Sequence, residues 1–302
     1  MAPLFSHPAG MRVLESLRVI FQRKPVYLRK QPFFIFVCGG QLGQVQPSLR
    51  QQFIQWAEHQ LPNFVCLLAE DALKDGFVAG RRKFINLARF ESVIADIADC
   101  VLIFPESPGS FAETGFFSNS RNVRDKTLVI NPTNKQRDSF LNLGPIHTIN
   151  RFSFLQPTVF IDASHPTDFT ELEHRLIDRM KGTQRDQLEY RQFRLLNFKE
   201  KLSVVLEVLR LLRLADFKTL EHAISVCFES KPPPQELSDL LRILQAAKFV
   251  HRDEEAPYFR VIGGPRLIEI KNVDIDEILA GVTLFYQQYS PRLLKALQEV
   301  VP

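Results

Sequence analysis

The strongest constraint on the fold is Phe33-Phe34-Ile35-Phe36-Val37, an unbroken apolar run that stops at Cys38-Gly39-Gly40. The run is too short for a helix. With no polar residue at alternate positions, both of its faces must be covered, which is the pattern of a buried strand in a parallel sheet. Phe64 to Leu68, Cys100 to Phe104, Leu128 to Ile130 and Thr158 to Ile161 repeat the pattern. Between them lie helical stretches: Pro47 to Gln60, with Leu49, Phe53, Trp56 and Gln60 in phase, and Phe84 to Ala95. Short apolar strands alternating with helices predict βαβ units, hence an α/β fold with a mostly parallel sheet flanked by helices. Ligands of such sheets bind at the carboxyl ends of the strands. The two Gly-rich segments, 38–43 and 105–115, fall at such ends.

After Asp162 the pattern turns helical. Residues 168–230 carry Leu-rich stripes with charged faces; Pro232-Pro233-Pro234 interrupts them, and Gln235 to Lys248 forms another helix. Phe249 to Ile262 reads as strand, polar turn, strand, and Ile275 to Val300 as a final helix. Three helices followed by a hairpin is the order of a winged helix-turn-helix. The expected division is an N-terminal helix and linker at 1–31, a sheet domain at 32–165, and a helical, winged-helix-like domain at 166–302. The helix that would read a DNA groove carries only Arg242 and Lys248 as cations, against Glu236 and Asp239. Groove-reading helices concentrate positive charge. Here the basic residues gather upstream, at Arg185, Arg191, Arg194, Lys199, Lys201, Arg210 and Arg213. Contact with protein and contact with a nucleic-acid backbone are both open.

A net charge of +4 permits an anionic partner without demanding one. Cys38, Cys66, Cys100 and Cys227 lack metal-ligand spacing, so a zinc site is not expected and a reducing compartment is. No stretch approaches the roughly 18 apolar residues of a membrane span, and the N-terminus lacks a signal-peptide layout. The expectation is a cytoplasmic protein with no membrane contact, for which a homo-oligomer is compatible.

The chemistry-bearing segment is Val101-Leu102-Ile103-Phe104-Pro105-Glu106-Ser107-Pro108-Gly109-Ser110-Phe111-Ala112-Glu113. A strand ejects into a Pro/Gly/Ser turn, and a helix is expected from about Ser110. Backbone N–H groups at that helix start, with the Ser107 and Ser110 hydroxyls, suit phosphate or sugar oxygens. Cys38, Gly39 and Gly40 at the first strand end, Pro108 and Gly109 in the turn, and Asn142 on the pocket wall complete the candidate substrate contacts. Glu113, one turn into the helix, is placed as nucleophile or electrostatic stabiliser toward a sugar carbon, with Glu106 as a second carboxylate. A competing reading is local: a Ser-Pro-Gly-Ser turn with an early Glu also makes a good helix cap. Glu91, Asp96 and Asp99 are secondary candidates, Asp99 as a structural cap and Glu91 as a solvated flank. Arg81-Arg82-Lys83 is either a phosphate grip or a solvated surface.

The Gly-Ser-Phe-Ala-Glu-Thr-Gly string from Gly109 to Gly115 resembles the nucleophile segment of nucleoside 2-deoxyribosyltransferases. The longer string Phe104 to Phe111, with Phe36-Val37-Cys38-Gly39-Gly40 and Leu141-Asn142-Leu143-Gly144-Pro145, resembles retron effector proteins, in which such a domain precedes a winged-helix-like one. The resemblance implies a toxin of an anti-phage system, held in check by a reverse transcriptase and its multicopy single-stranded DNA–RNA hybrid. It also implies Glu113 as nucleophile, and a nucleoside, nucleotide or NAD as substrate with no further cofactor. Cys38-Gly39-Gly40 stands where the salvage enzymes place an aromatic residue, and Glu106-Ser107 where they carry an Asp. A salvage role therefore fits less well than a toxin. A non-catalytic nucleotide sensor coupled to a DNA- or protein-binding domain is the alternative.

Overall fold

The computed structural model describes residues 4–74, 86–162, 167–180, 186–252 and 257–298. Arg81, Arg82, Lys83 and Arg185, and the expected hairpin turn at 253–256, lie outside the described residues. The elements run α1 (Pro8–Arg23), β1 (Val26–Leu28), β2 (Phe33–Cys38), α2 (Leu49–Gln60), β3 (Phe64–Leu67), α3 (Ala69–Lys74), α4 (Leu87–Ile97) and β4 (Cys100–Ile103). Next come α5 (Pro108–Asn119), α6 (Arg121–Arg124), β5 (Thr127–Pro132), α7 (His147–Phe152), β6 (Val159–Ile161) and α8 (Thr170–Met180). The chain continues with α9 (Phe198–Leu212), β7 (Leu214–Asp216), α10 (Phe217–Cys227), α11 (Pro234–Ala246), β8 (Val250–Arg252), β9 (Tyr258–Val261), β10 (Ile268–Ile270), α12 (Ile275–Tyr289) and α13 (Pro291–Gln298). They divide into two compact units, one of residues 31–71 and 80–184, the other of 1–30, 72–79 and 185–302.

The first unit is built on a five-stranded sheet in the order β3-β2-β4-β5-β6, parallel throughout. Both faces of β2 are occupied, which explains its uninterrupted apolar run. Ile35 and Val37 join Phe53, Leu102, Phe104, Leu128 and Ile130 in one core, while Phe36 meets Phe117 edge-on at 6.0 Å. Asp99 ties the sheet floor, its backbone N–H donating to Phe34 O and its carboxylate accepting from Phe34 N–H. The chain leaves β2 for β3 on one side and then crosses to β4 on the other. The β2/β4 boundary is therefore the topological switch point, the place at the strands' carboxyl ends where sheets of this kind bind ligands. The expected boundary at 165/166 moves. Helix α8 belongs to the sheet unit because Phe169, Leu172 and Leu176 complete its core, with Phe169 against Phe53 and Trp56. Burying one such aromatic contributes about 1.5–3 kcal/mol.

The second unit centres on α9, whose Val204, Val205, Leu206, Val208 and Leu209 are all buried. Around it lie α10, α11 and a three-stranded antiparallel sheet ordered β7-β9-β8. The Tyr286 hydroxyl of α12 sits 2.8 and 2.7 Å from the carbonyls of Leu212 and Leu214. The expected separate segment 1–31 is instead part of this unit. Leu14, Leu17 and Phe21 form a buried stripe on α1; Phe21 packs on Phe228 at 4.9 Å, and β1 pairs with β10. The continuous last helix breaks at Ser290, which leaves helical geometry ahead of Pro291, as a residue before proline tends to.

Candidate functional site

Residues from three successive strand ends converge at the switch point. Gly39, just past β2, is where the N-terminus of α2 comes closest: a Cβ there would lie 2.9 Å from Arg50 Cδ and 3.0 Å from both Arg50 Cβ and Phe104 Cβ. Gly40 would meet Ser48 Cβ at 3.2 Å and Glu106 Oε2 at 3.4 Å. The glycine pair thus admits the close approach of Arg50, Ser48, Phe104 and Glu106. Gly39→Ala is expected to lose about 1–3 kcal/mol of stability by overpacking. Gly109→Ala, where the nearest contact is 3.8 Å, should leave stability unchanged. Urea denaturation of the two variants checks both.

Arg50 occupies the first turn of α2 and is almost wholly buried. It bonds Gly40 O at 3.2 Å and grips the Glu70 carboxylate of α3 with both terminal nitrogens, at 2.8 and 2.9 Å. The helix dipole disfavours a cation there. The opposing charge comes from Glu106, whose carboxylate accepts from the N–H groups of Leu49 at 2.7 Å and Arg50 at 3.2 Å. Glu106 is therefore spent on the start of α2.

Helix α5 begins at Pro108, two residues before the expected Ser110, because Ser107 and Ser110 form a reciprocal capping box. Ser110 Oγ accepts from the Glu106 and Ser107 N–H groups at 3.0 and 2.9 Å, and Ser107 Oγ accepts from Ser110 N–H at 3.2 Å. The Ser107–Ser110 part of the capping reading is present, but no acidic residue lies in the first turn of the helix. Glu113 falls in the second turn, and its Oε2 is buried without a hydrogen-bond partner. Burial raises its pKa above the ordinary carboxylate value; Arg50 opposes that and Glu70 adds to it. Glu91 on α4 is pushed up to about 7 by burial, then by the charges of Glu113 and Glu70, with Arg50 opposing. Cys38 feels the same group: burial first, then Glu113 and Glu91, hold its thiol protonated. Among the described residues no His, Cys, Asp or Glu group is arranged to hold a metal ion.

Asn142, in a π-helical turn (Asn142–Ile146), donates to the carbonyls of Lys135 at 3.0 Å and Arg137 at 2.6 Å. It fastens the loop after β5. Its Oδ1 accepts from Asn131 Nδ2 at 3.4 Å. Asn131, at the carboxyl end of β5, keeps a buried carbonyl oxygen with no partner.

Residues 46–252 match the family described as STM3845 retron effector protein. The chain belongs to that family. This retron effector is also similar to two Escherichia coli proteins. It is 34% identical over 126 residues to the "Retron Ec86 putative ribosyltransferase/DNA-binding protein", a stretch that is 39% of this chain and 38% of the relative. It is 34% identical over 122 residues to the Retron Ec73 protein of the same description, covering 40% and 39%. The matched stretch spans well under half of either relative.

Read as a sequence, the retron effector showed Glu113, Gly39-Gly40 and the 105–110 turn, but not Arg50 or Glu70. The available signal was an Arg in the first turn of α2, on the side that buries Leu49 and Phe53, where neither burial nor the helix dipole favours it. Asn131 carried a similar signal, an amide closing the apolar run Leu128-Val129-Ile130.

Proposed function

We propose that this retron effector cleaves the N-glycosidic bond of a nucleotide or of NAD, as the toxic arm of an anti-phage system restrained by a reverse transcriptase and its multicopy single-stranded DNA. The observation that carries the reading is the pairing of Glu113 with Glu91. Burial and the charge of Glu113 together push Glu91 up to about 7, and burial raises Glu113 as well. A carboxyl group raised to near neutrality suits a general acid beside a carboxylate nucleophile. Glu113 attacks the anomeric carbon as the C–N bond breaks. The departing base takes the electron pair and a proton from Glu91, and water then displaces Glu113. Arg50 and Glu106 act as positioning residues: Arg50 sets the field at both carboxylates, and Glu106 fixes α2 against the α5 loop. The ribosyltransferase in the relatives' description agrees with glycosyl transfer.

The element order α9-β7-α10-α11-β8-β9, with β9 between β7 and β8, supports a winged-helix reading of the second unit. The relatives' DNA-binding description favours the sensor alternative, in which a nucleotide bound at the sheet is signalled through that unit. Mass-spectrometric profiling of nucleotides, NAD and free bases in cells expressing the wild type or Glu113→Gln separates the two. The enzyme reading expects a depleted pool and a released base with the wild type alone. Identical profiles from two soluble proteins, with phage and partner genes supplied, leave the sensor.

A further inference from the structure

The second unit holds a cavity of about 680 Å³. Its polar wall is Arg210 and Arg213, at the end of α9, with Arg260 from β9; its apolar wall includes Ile262, Leu279 and Leu297. Two cations of the basic stretch hold carboxylates elsewhere, Arg191 on Glu200 at 2.8 Å and Lys201 on Glu236 at 3.1 Å. Arg213 is held in place. Its backbone takes φ +65, outside the usual range for a side chain of this size, and its guanidinium donates to Thr283 Oγ1 at 2.8 Å. The buried Glu207 carboxylate lies behind, 3.9 Å from Arg210 and 3.7 Å from Arg266. Burial lowers the pKa of Arg210, with Glu207 opposing and Arg266 reinforcing the effect. By contrast, α11 spends its charges internally, Glu236 on Lys201 and Arg242 on Asp239 at 4.0 Å.

We propose that this cavity binds a nucleotide unit, its phosphate on Arg210, Arg213 and Arg260 and its base against Ile262, Leu279 and Leu297. Guanidinium groups match phosphate oxygens in pairs, and the volume lies within the range of small-ligand sites. The unit comes either from a free nucleotide or from a nucleic-acid strand; the shared chemistry is a phosphate beside a base. The inference is independent of the Glu113 chemistry.

The test titrates the full chain with deoxyadenosine 5′-monophosphate, with a labelled twelve-residue single-stranded deoxyoligonucleotide, and with deoxyadenosine as the phosphate-free control. Binding is followed by calorimetry and fluorescence anisotropy. Arg213→Gln with Arg260→Gln is expected to weaken whichever phosphate probe binds by at least tenfold, and Leu297→Glu, which sets a carboxylate in the opposite wall, to do the same if the arginine pair compromises folding. Arg242→Gln on α11 with Lys248→Gln just past its end should change binding less than twofold, and deoxyadenosine should not compete. Binding of the mononucleotide assigns a free nucleotide, and binding of the oligonucleotide alone assigns a strand; either supports the site. The proposal is overturned if neither phosphate probe binds the wild type, if folded cavity variants bind as the wild type does, or if the Arg242 and Lys248 pair costs as much as the cavity pair.

Discussion

Glu113→Gln is expected to stabilise the protein at neutral pH while lowering base release by about three orders of magnitude or more. Both effects come from one carboxylate. Its Oε2 is buried and accepts no hydrogen bond, and burial raises its pKa. A carboxyl group whose folded pKa is raised contributes fully to stability below its unfolded pKa. That contribution is lost as pH climbs through the folded value. At pH 7.5 the raised pKa therefore costs the wild type stability, and Gln removes that cost at nearly constant shape. The melting temperature of the variant should exceed that of the wild type at pH 7.5, and the difference should close toward pH 4. A gain of stability with a loss of turnover marks a group kept for chemistry. A variant that melts lower at pH 7.5 would assign Glu113 a structural role instead.

The second large effect concerns pH. Glu91 must carry a proton to give to the departing base, and it is pushed up to about 7. Glu113 must be ionised to attack, with a pKa above the ordinary carboxylate value. The rate of base release should climb as Glu113 loses its proton and fall about tenfold per unit above pH 7 as Glu91 loses its own. Glu91→Gln should lower the rate by about 10²–10⁴ and abolish the alkaline limb. Stopped assays from pH 5 to 9, using the substrate that metabolite profiling identifies, check both points. An alkaline limb that persists in Glu91→Gln would remove Glu91 from the mechanism.

The parallel sheet was legible because its strands are buried on both faces, and Phe33 to Val37 has no way to hide a polar residue. Three-residue strands have no such signature. Val26–Leu28 finds its partner in Ile268–Ile270, and Leu214–Asp216 in Tyr258–Val261, through hydrogen bonds that any backbone supplies. At the site, Glu113 could be placed because strand, turn and helix are contiguous in the chain. Arg50 and Glu70 could not, because their pairing exists only once α2 and α3 are brought to neighbouring strand ends. Glu91, expected as a solvated flank, is half-buried, since α4 turns it toward the same carboxylates. Glu106 was recognised as a loop carboxylate, yet which N–H groups would claim it depended on the approach of α2.

The membership of α1 in the second unit sets an order on synthesis. Phe5 packs at a tilt on Phe285 at 4.6 Å, and the Cys227 thiol reaches Leu14 O, so segments made before the sheet unit are completed by segments made after it. At about 5–20 residues per second, the α1 stripe waits roughly a quarter of a minute to a minute on the ribosome before its partners emerge. The sheet unit between them has by then all of its strands. The candidate site and its scaffold are thus assembled while the flanking unit is still unfinished, and the newborn chain carries an unsatisfied amphipathic helix ahead of the sheet unit throughout that interval.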